Sequence, residues 1–230
     1  MIKLFSFLLI AILFRPCINK VFGQSPMNKE EIYKLWVKMQ SEKDQVDSIE
    51  RFVVYDEILN LKVANIIAQL IAGGVDTLIG IGKSYPDIAS GDTCEKGINP
   101  SNAYIFWVKS GKFYLKKVTK SCVFENIEIG SLPGISRYFR NESKIKKEYI
   151  LPAIYSATKE GGKIKFSGST VSHEKKYAIF FRINKEIKVM GFSENDISDK
   201  ASLFYVQNRT TDLYKWFTLI DEKVCDYYRY

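Results

Sequence analysis

The chain of 230 residues holds only one histidine, six prolines and four cysteines. One histidine excludes metal centres built on several imidazoles. Without a Cys-x-x-Cys or Cys/His spacing, a structural zinc site has no ligand set either. There is no internal repeat, no low-complexity tract and no Pro/Gly/Ser linker. Those absences, with 46% hydrophobic and 26% charged residues, exclude disordered, collagen-like and multi-pass membrane chains. The length fits one domain, large enough to fold without a metal or disulfide.

What is present begins with an address. Lys3 precedes an apolar run of 11 residues, Leu4 to Phe14. The run suits the core of a signal peptide and falls short of the ~20 residues of a spanning helix. Val21-Phe22-Gly23 places acceptable residues before a cut at Gln24. The expected organisation is a signal peptide over residues 1–23 and a single domain over 24–230, secreted or periplasmic. Cys17 follows Phe14-Arg15-Pro16 rather than small residues, which argues against a lipid anchor. Removing Lys3, Arg15 and Lys20 lowers the net charge from +8 to +5, a surplus too small to argue for a nucleic-acid partner.

Export implies an oxidising compartment and paired thiols. Cys94 lies in a turn-rich stretch before one strand and Cys122 follows the end of the next, so a hairpin brings them to one end. We expect a Cys94–Cys122 disulfide and a buried free thiol at Cys225.

Asn28 and Glu31 form a capping pair ahead of an amphipathic helix bearing Ile32, Leu35, Trp36 and Met39. From Arg51 to Ile81 the chain is strongly apolar and reads as a buried helix ending near Gly73-Gly74. Lys62, Asn65, Gln69 and Asp76 argue against a membrane span there, and none is expected in the mature chain. Ala103–Val108 and Lys112–Val118 flank Ser110-Gly111 as a hairpin, with a third strand within Cys122–Ile129. Ile135–Tyr149 reads as a helix. Lys163–Ser167, Tyr177–Ile183, Glu186–Phe192 and Leu203–Gln207 read as a second strand block, and Thr210 or Thr211 caps a closing helix. The class is α+β: N-terminal helices, a mainly antiparallel sheet in two strand blocks and a C-terminal helix.

Catalytic constellations fail one by one. Gly80-Ile81-Gly82-Lys83-Ser84 resembles the end of a phosphate-binding loop, but the required upstream glycine is Thr77 and Tyr85-Pro86 follows instead of a helix. His173, with Ser169 and Ser172 nearby, reads as a solvated loop residue without a nucleophile elbow. Asp56/Glu57 and Glu125/Glu128 do not share a face as paired acids must. No cofactor or metal is called for.

Charge is the non-random feature. Residues 24–108 carry net −4, residues 109–188 net +11 and residues 189–230 net −2. Lys112, Lys116, Lys163, Lys165 and Lys188 alternate with apolar residues, so their ammonium groups are expected to share an outer sheet face, beside a basic helix with Arg137, Arg140, Lys144, Lys146 and Lys147. Such a face serves either as a solvated guard against edge pairing or as a surface for an anionic polymer, the envelope surface or a protein partner. Tyr104, Phe106 and Tyr114 exposed on it would favour binding. Asn141 and Asn208 open glycosylation sequons, relevant to a eukaryotic host. The reading is an exported, non-enzymatic protein of a bacterial envelope that binds through this basic face. The alternatives are a secreted hydrolase assembled from distant residues and a structural or immunity-type interaction protein.

Overall fold

A computed structural model describes residues 25–44, 56–84, 101–132, 134–161, 163–168, 174–183 and 186–227. The signal segment, Cys94, Ser169, Ser172 and His173 lie outside them. The elements in order are β1 (Ser25–Pro26), α1 (Lys29–Asp44), α2 (Glu57–Ala72), β2 (Leu78–Ser84), β3 (Asn102–Lys109), β4 (Lys112–Thr119), β5 (Ile127–Ile129), α3 (Ile135–Ile145), β6 (Ile154–Glu160), β7 (Lys163–Gly168), β8 (Lys176–Ile183), β9 (Glu186–Ser193), α4 (Glu194–Ser198), α5 (Tyr205–Thr210) and α6 (Asp212–Tyr227). The class is α+β, and among the described residues every strand pair is antiparallel.

Two sheets form, but they do not follow the two blocks of the sequence. A six-stranded sheet runs β5-β4-β3-β2-β8-β9, and β1-β6-β7 make a separate small one. The strand β2 was not foreseen, because alternation is absent when a strand is buried on both faces. Ile79 and Ile81 point to one side and Leu78 to the other, all fully buried. The first side meets α3 and α6 through Tyr138, Leu213, Trp216 and Phe217. The second meets α2 through Leu59, Val63 and Ile67. Full burial of a large apolar side chain such as Phe106, Phe180 or Phe181 contributes about 1.5–3 kcal/mol, so these two cores hold the layers together.

Local signals act where they were read. Ser110 and Gly111 take φ of 51° and 75° between Lys109 and Lys112, the mirror-image turn that suits strand twist. Asn28 Oδ1 accepts from Glu31 N at 2.9 Å and Glu31 Oε2 from Asn28 N at 3.0 Å, closing the capping box of α1. Asp56 caps α2 at Leu59 N, and Gly73 ends it. Thr211 Oγ1 accepts from Tyr214 N at the start of α6. Among the described residues no helix is long and apolar enough to cross a membrane.

Three expectations are corrected. The helix from Ile135 ends at Ile145 rather than Tyr149, and the carbonyls of Ile145, Lys146 and Glu148 turn to a buried ammonium instead of continuing the helical ladder, as shown below. In the third-strand region only Ile127–Ile129 and an isolated Val118–Val123 bridge pair with β4. Leu203–Gln207 is no strand: Leu203 N donates once to Ile154 O, Ser202 Oγ then accepts from Phe204 N, and the chain turns into α5.

Candidate functional site

The basic residues do not assemble on one sheet face. Lys112 and Lys116 share the α2 side of β4 with Tyr114 and Val118, as the register dictates. Lys112 Nζ is 2.9 Å from Glu128 Oε2 on β5, and that hydrogen bond raises the lysine pKa. Lys163 and Lys165 belong to the small sheet, opposite Glu160 and Thr158, with Lys165 Nζ 2.5 Å from Glu160 Oε2. The rings expected to interleave with the lysines are core residues: Phe106 is fully buried, Tyr104 is buried and Tyr114 stacks on Trp107 at 5.4 Å.

Lys188 overturns the shared outer face most directly. It lies opposite Phe181 in the β8–β9 register, on the side that α3 and α6 cover, and it is only 8% exposed. Its ammonium donates to Lys146 O at 2.6 Å, Glu148 O at 2.8 Å and Ile145 O at 3.4 Å. It also sits 4.3 Å from the Tyr149 ring centroid. This is a cation at a helix C-terminus, satisfying carbonyls that have no intrahelical partner.

The basic helix does present charge outward. Tyr138 and Ile145 on its inner face are fully buried, whereas Arg140, Lys144 and Phe139, itself 52% exposed, face outward, with exposed Lys147 in the turn that follows. Arg137 is held inward, 3.6 Å from Asp212 Oδ1 on α6, and Lys144 Nζ is 3.6 Å from the other oxygen. Arg140 Nε donates to Ser136 O.

The remaining motifs resolve into structure. Gly80–Ser84 is the extended end of β2, where amides pair with neighbouring strands rather than wrap a phosphate, and Lys83 forms an ion pair with Asp221 of α6. Asp56 is a helix cap and Glu128 a lysine partner. Asn208 is fully buried, with Nδ2 donating to Leu151 O and Asp196 O, so the folded chain offers no amide there for glycosylation. Cys122 is buried, its N donating to Thr119 Oγ1 at 3.0 Å. Among the described residues no group of three His, Cys, Asp or Glu gathers as metal ligands.

A cleft of about 100 Å³ escapes sequence reasoning. Its walls are Trp36 of α1, the Tyr149–Pro152 crossover, Val189–Phe192 of the edge strand β9, and Asp196. Asp196 accepts from Ala153 N at 2.8 Å and Ser193 N at 2.7 Å, one bond to each oxygen, while burial raises its pKa. It is the one acid in the cleft wall, so the paired carboxyls of a glycosidase-type site are not brought together there. Asp196 was not singled out from the sequence; the local signal that could have pointed to it is the Ser193–Asp196 capping box.

Comparison of the chain with protein-family models, curated proteins and solved structures returns no match.

Proposed function

We propose an exported, non-enzymatic protein of a bacterial envelope that meets an anionic polymer through the outward face of α3. The carrying observation is exposed Arg140 on α3 and exposed Lys147 in the turn just past it, with Lys144 beside Asp212, over an inner face where Tyr138 and Ile145 are fully buried. The α3 face replaces the five-lysine sheet face as the contact, since Lys188 is internal and Lys112 and Lys165 already pair with acids. Export rests on the Lys3–Gly23 pattern, and the Cys94–Cys122 pairing on the place of Cys122 just past β4, whose Thr119 pairs with Asn102, eight positions after Cys94 in the chain.

Heparin serves as a soluble polyanion to test this. Its affinity should fall about tenfold or more between about 50 and 200 mM salt, as for any contact made of several point charges. Arg140→Glu with Lys147→Glu should weaken binding by a similar factor, while Lys112→Glu changes little. Weakening only from Lys163→Glu with Lys165→Glu would move the contact to the small sheet. Affinity indifferent to salt would overturn the reading.

Intact mass from the native host tests the address. The expected species starts at Gln24 and is about 2 Da lighter before reduction, with peptide mapping joining Cys94 to Cys122. A full-length mass with free thiols would remove both export and the pairing.

A further inference from the structure

The cleft between α1 and β9 is built from three distant parts of the chain, and its chemistry narrows what it can hold. Trp36 forms one wall, its ring set edge-to-face against Phe166 at 6.0 Å and 87°. Another side is β9, the last strand of its sheet among the described residues, where exposed Gly191 leaves the backbone approachable. Asp196 is fixed by two backbone amides, so its orientation does not depend on a ligand.

Each simple ligand class meets this arrangement differently. An anion would face the Asp196 carboxylate. An organic cation would be drawn by that carboxylate, but the Tyr149 ring already carries the Lys188 ammonium at 4.3 Å, so this aromatic wall would present it with like charge. An apolar ligand would take water from Asp196 and return no hydrogen bond, which is costly for a carboxylate. A neutral ring with hydroxyl groups avoids all three penalties. Its O–H groups donate to the carboxylate and to β9 carbonyls, and its C–H face lies against Trp36. Small-molecule sites commonly combine apolar walls with a few fixed polar groups in this way. At about 100 Å³, below the roughly 300–1,000 Å³ of enclosing sites, this cleft seats one ring in part and leaves the rest of it in solvent.

We propose that this cleft binds a single neutral hydroxylated ring, a monosaccharide unit, at a site separate from the α3 face. The raised pKa of Asp196, caused by its burial, adds to the argument, because a donated hydroxyl would relieve that desolvation.

Trp36 also provides the readout, since Trp107 and Trp216 are buried in the sheet cores. The purified protein is titrated with glucose, galactose and N-acetylglucosamine, and separately with choline and acetate, following tryptophan fluorescence and backbone amide shifts. At least one sugar should saturate with an affinity on the order of millimolar, moving the amides of Met190, Gly191, Phe192 and Ala153. Trp36→Ala should weaken that sugar about tenfold, and Trp36→Phe should retain most of the binding. The wild-type shift map locates the site even if Trp36→Ala fails to fold. Saturation by none of the three sugars, tighter binding of choline or acetate, or shifts that fall elsewhere would each overturn the proposal.

Discussion

Replacing Lys188 by alanine should lower stability by about 3 kcal/mol, whereas Lys163→Ala on the small sheet should change it by less than about 0.5 kcal/mol. The difference follows from what each ammonium touches. Lys163 is exposed, and its charge is fully hydrated in either state. The Lys188 ammonium serves three carbonyls at the end of α3 and the face of Tyr149. Charge-assisted hydrogen bonds contribute about 1.5–3 kcal/mol each, partly offset by the cost of taking an ammonium out of water. Without it, the carbonyls of Lys146 and Glu148 stay in a largely apolar surround with fewer donors. In thermal unfolding, that loss corresponds to a fall of roughly 6–12 °C for a chain of this size. Lys188→Met separates the two parts of the effect, because it keeps the stem packing and loses only the donors. If Lys188→Ala unfolds within a degree or so of the parent, the internal role is wrong.

That lysine also shows why some of this protein was legible and some was not. The hairpin turn at Ser110-Gly111, the Asn28–Glu31 box, the Gly73 stop and the Thr211 cap each depend on residues within a few positions of one another. Near-neighbour chemistry of that kind is visible in one dimension. Strand alternation in Glu186–Phe192 was equally visible, and in the register Lys188 and Met190 share one face while Ile187 and Val189 share the other. Which face meets solvent was not visible, because helices cover both sides of the large sheet. The strands β2 and β6 were missed for related reasons. The first has two glycines and buried residues on both sides, and the second pairs with strands of a separate small sheet. The cleft was beyond reach because Trp36, Tyr149 and Asp196 come from segments more than a hundred and about fifty positions apart.

Asn208 should be the most sensitive polar residue in the fold. The sequence offers it as a sequon beside a possible strand, yet it is fully buried in α5 and joins three segments. Its Oδ1 accepts from Leu151 N at 2.9 Å, and its Nδ2 donates to Leu151 O and Asp196 O, both at 2.7 Å. Asn208→Ala leaves one backbone donor and two acceptors short of a partner, and each buried unsatisfied group costs about 1–3 kcal/mol. Allowing for relaxation, we expect a loss of about 3–4 kcal/mol, roughly 6–16 °C in unfolding temperature. Asn208→Asp discriminates further. It preserves shape and the Leu151 N bond, but it points a carboxylate oxygen at two carbonyls. At neutral pH it should therefore be worse than alanine, near the about 3–5 kcal/mol of an uncompensated buried charge. The substituted carboxyl would have its folded-state pKa raised, so the penalty is full at high pH and shrinks as pH falls through that value. A neutral acid can give one O–H to Leu151 O or Asp196 O and recover part of the network. Chemical denaturation of parent, Asn208→Ala and Asn208→Asp across the acid range reads this directly. An aspartate variant that tracks alanine at every pH would show that the carbonyls are not held against position 208.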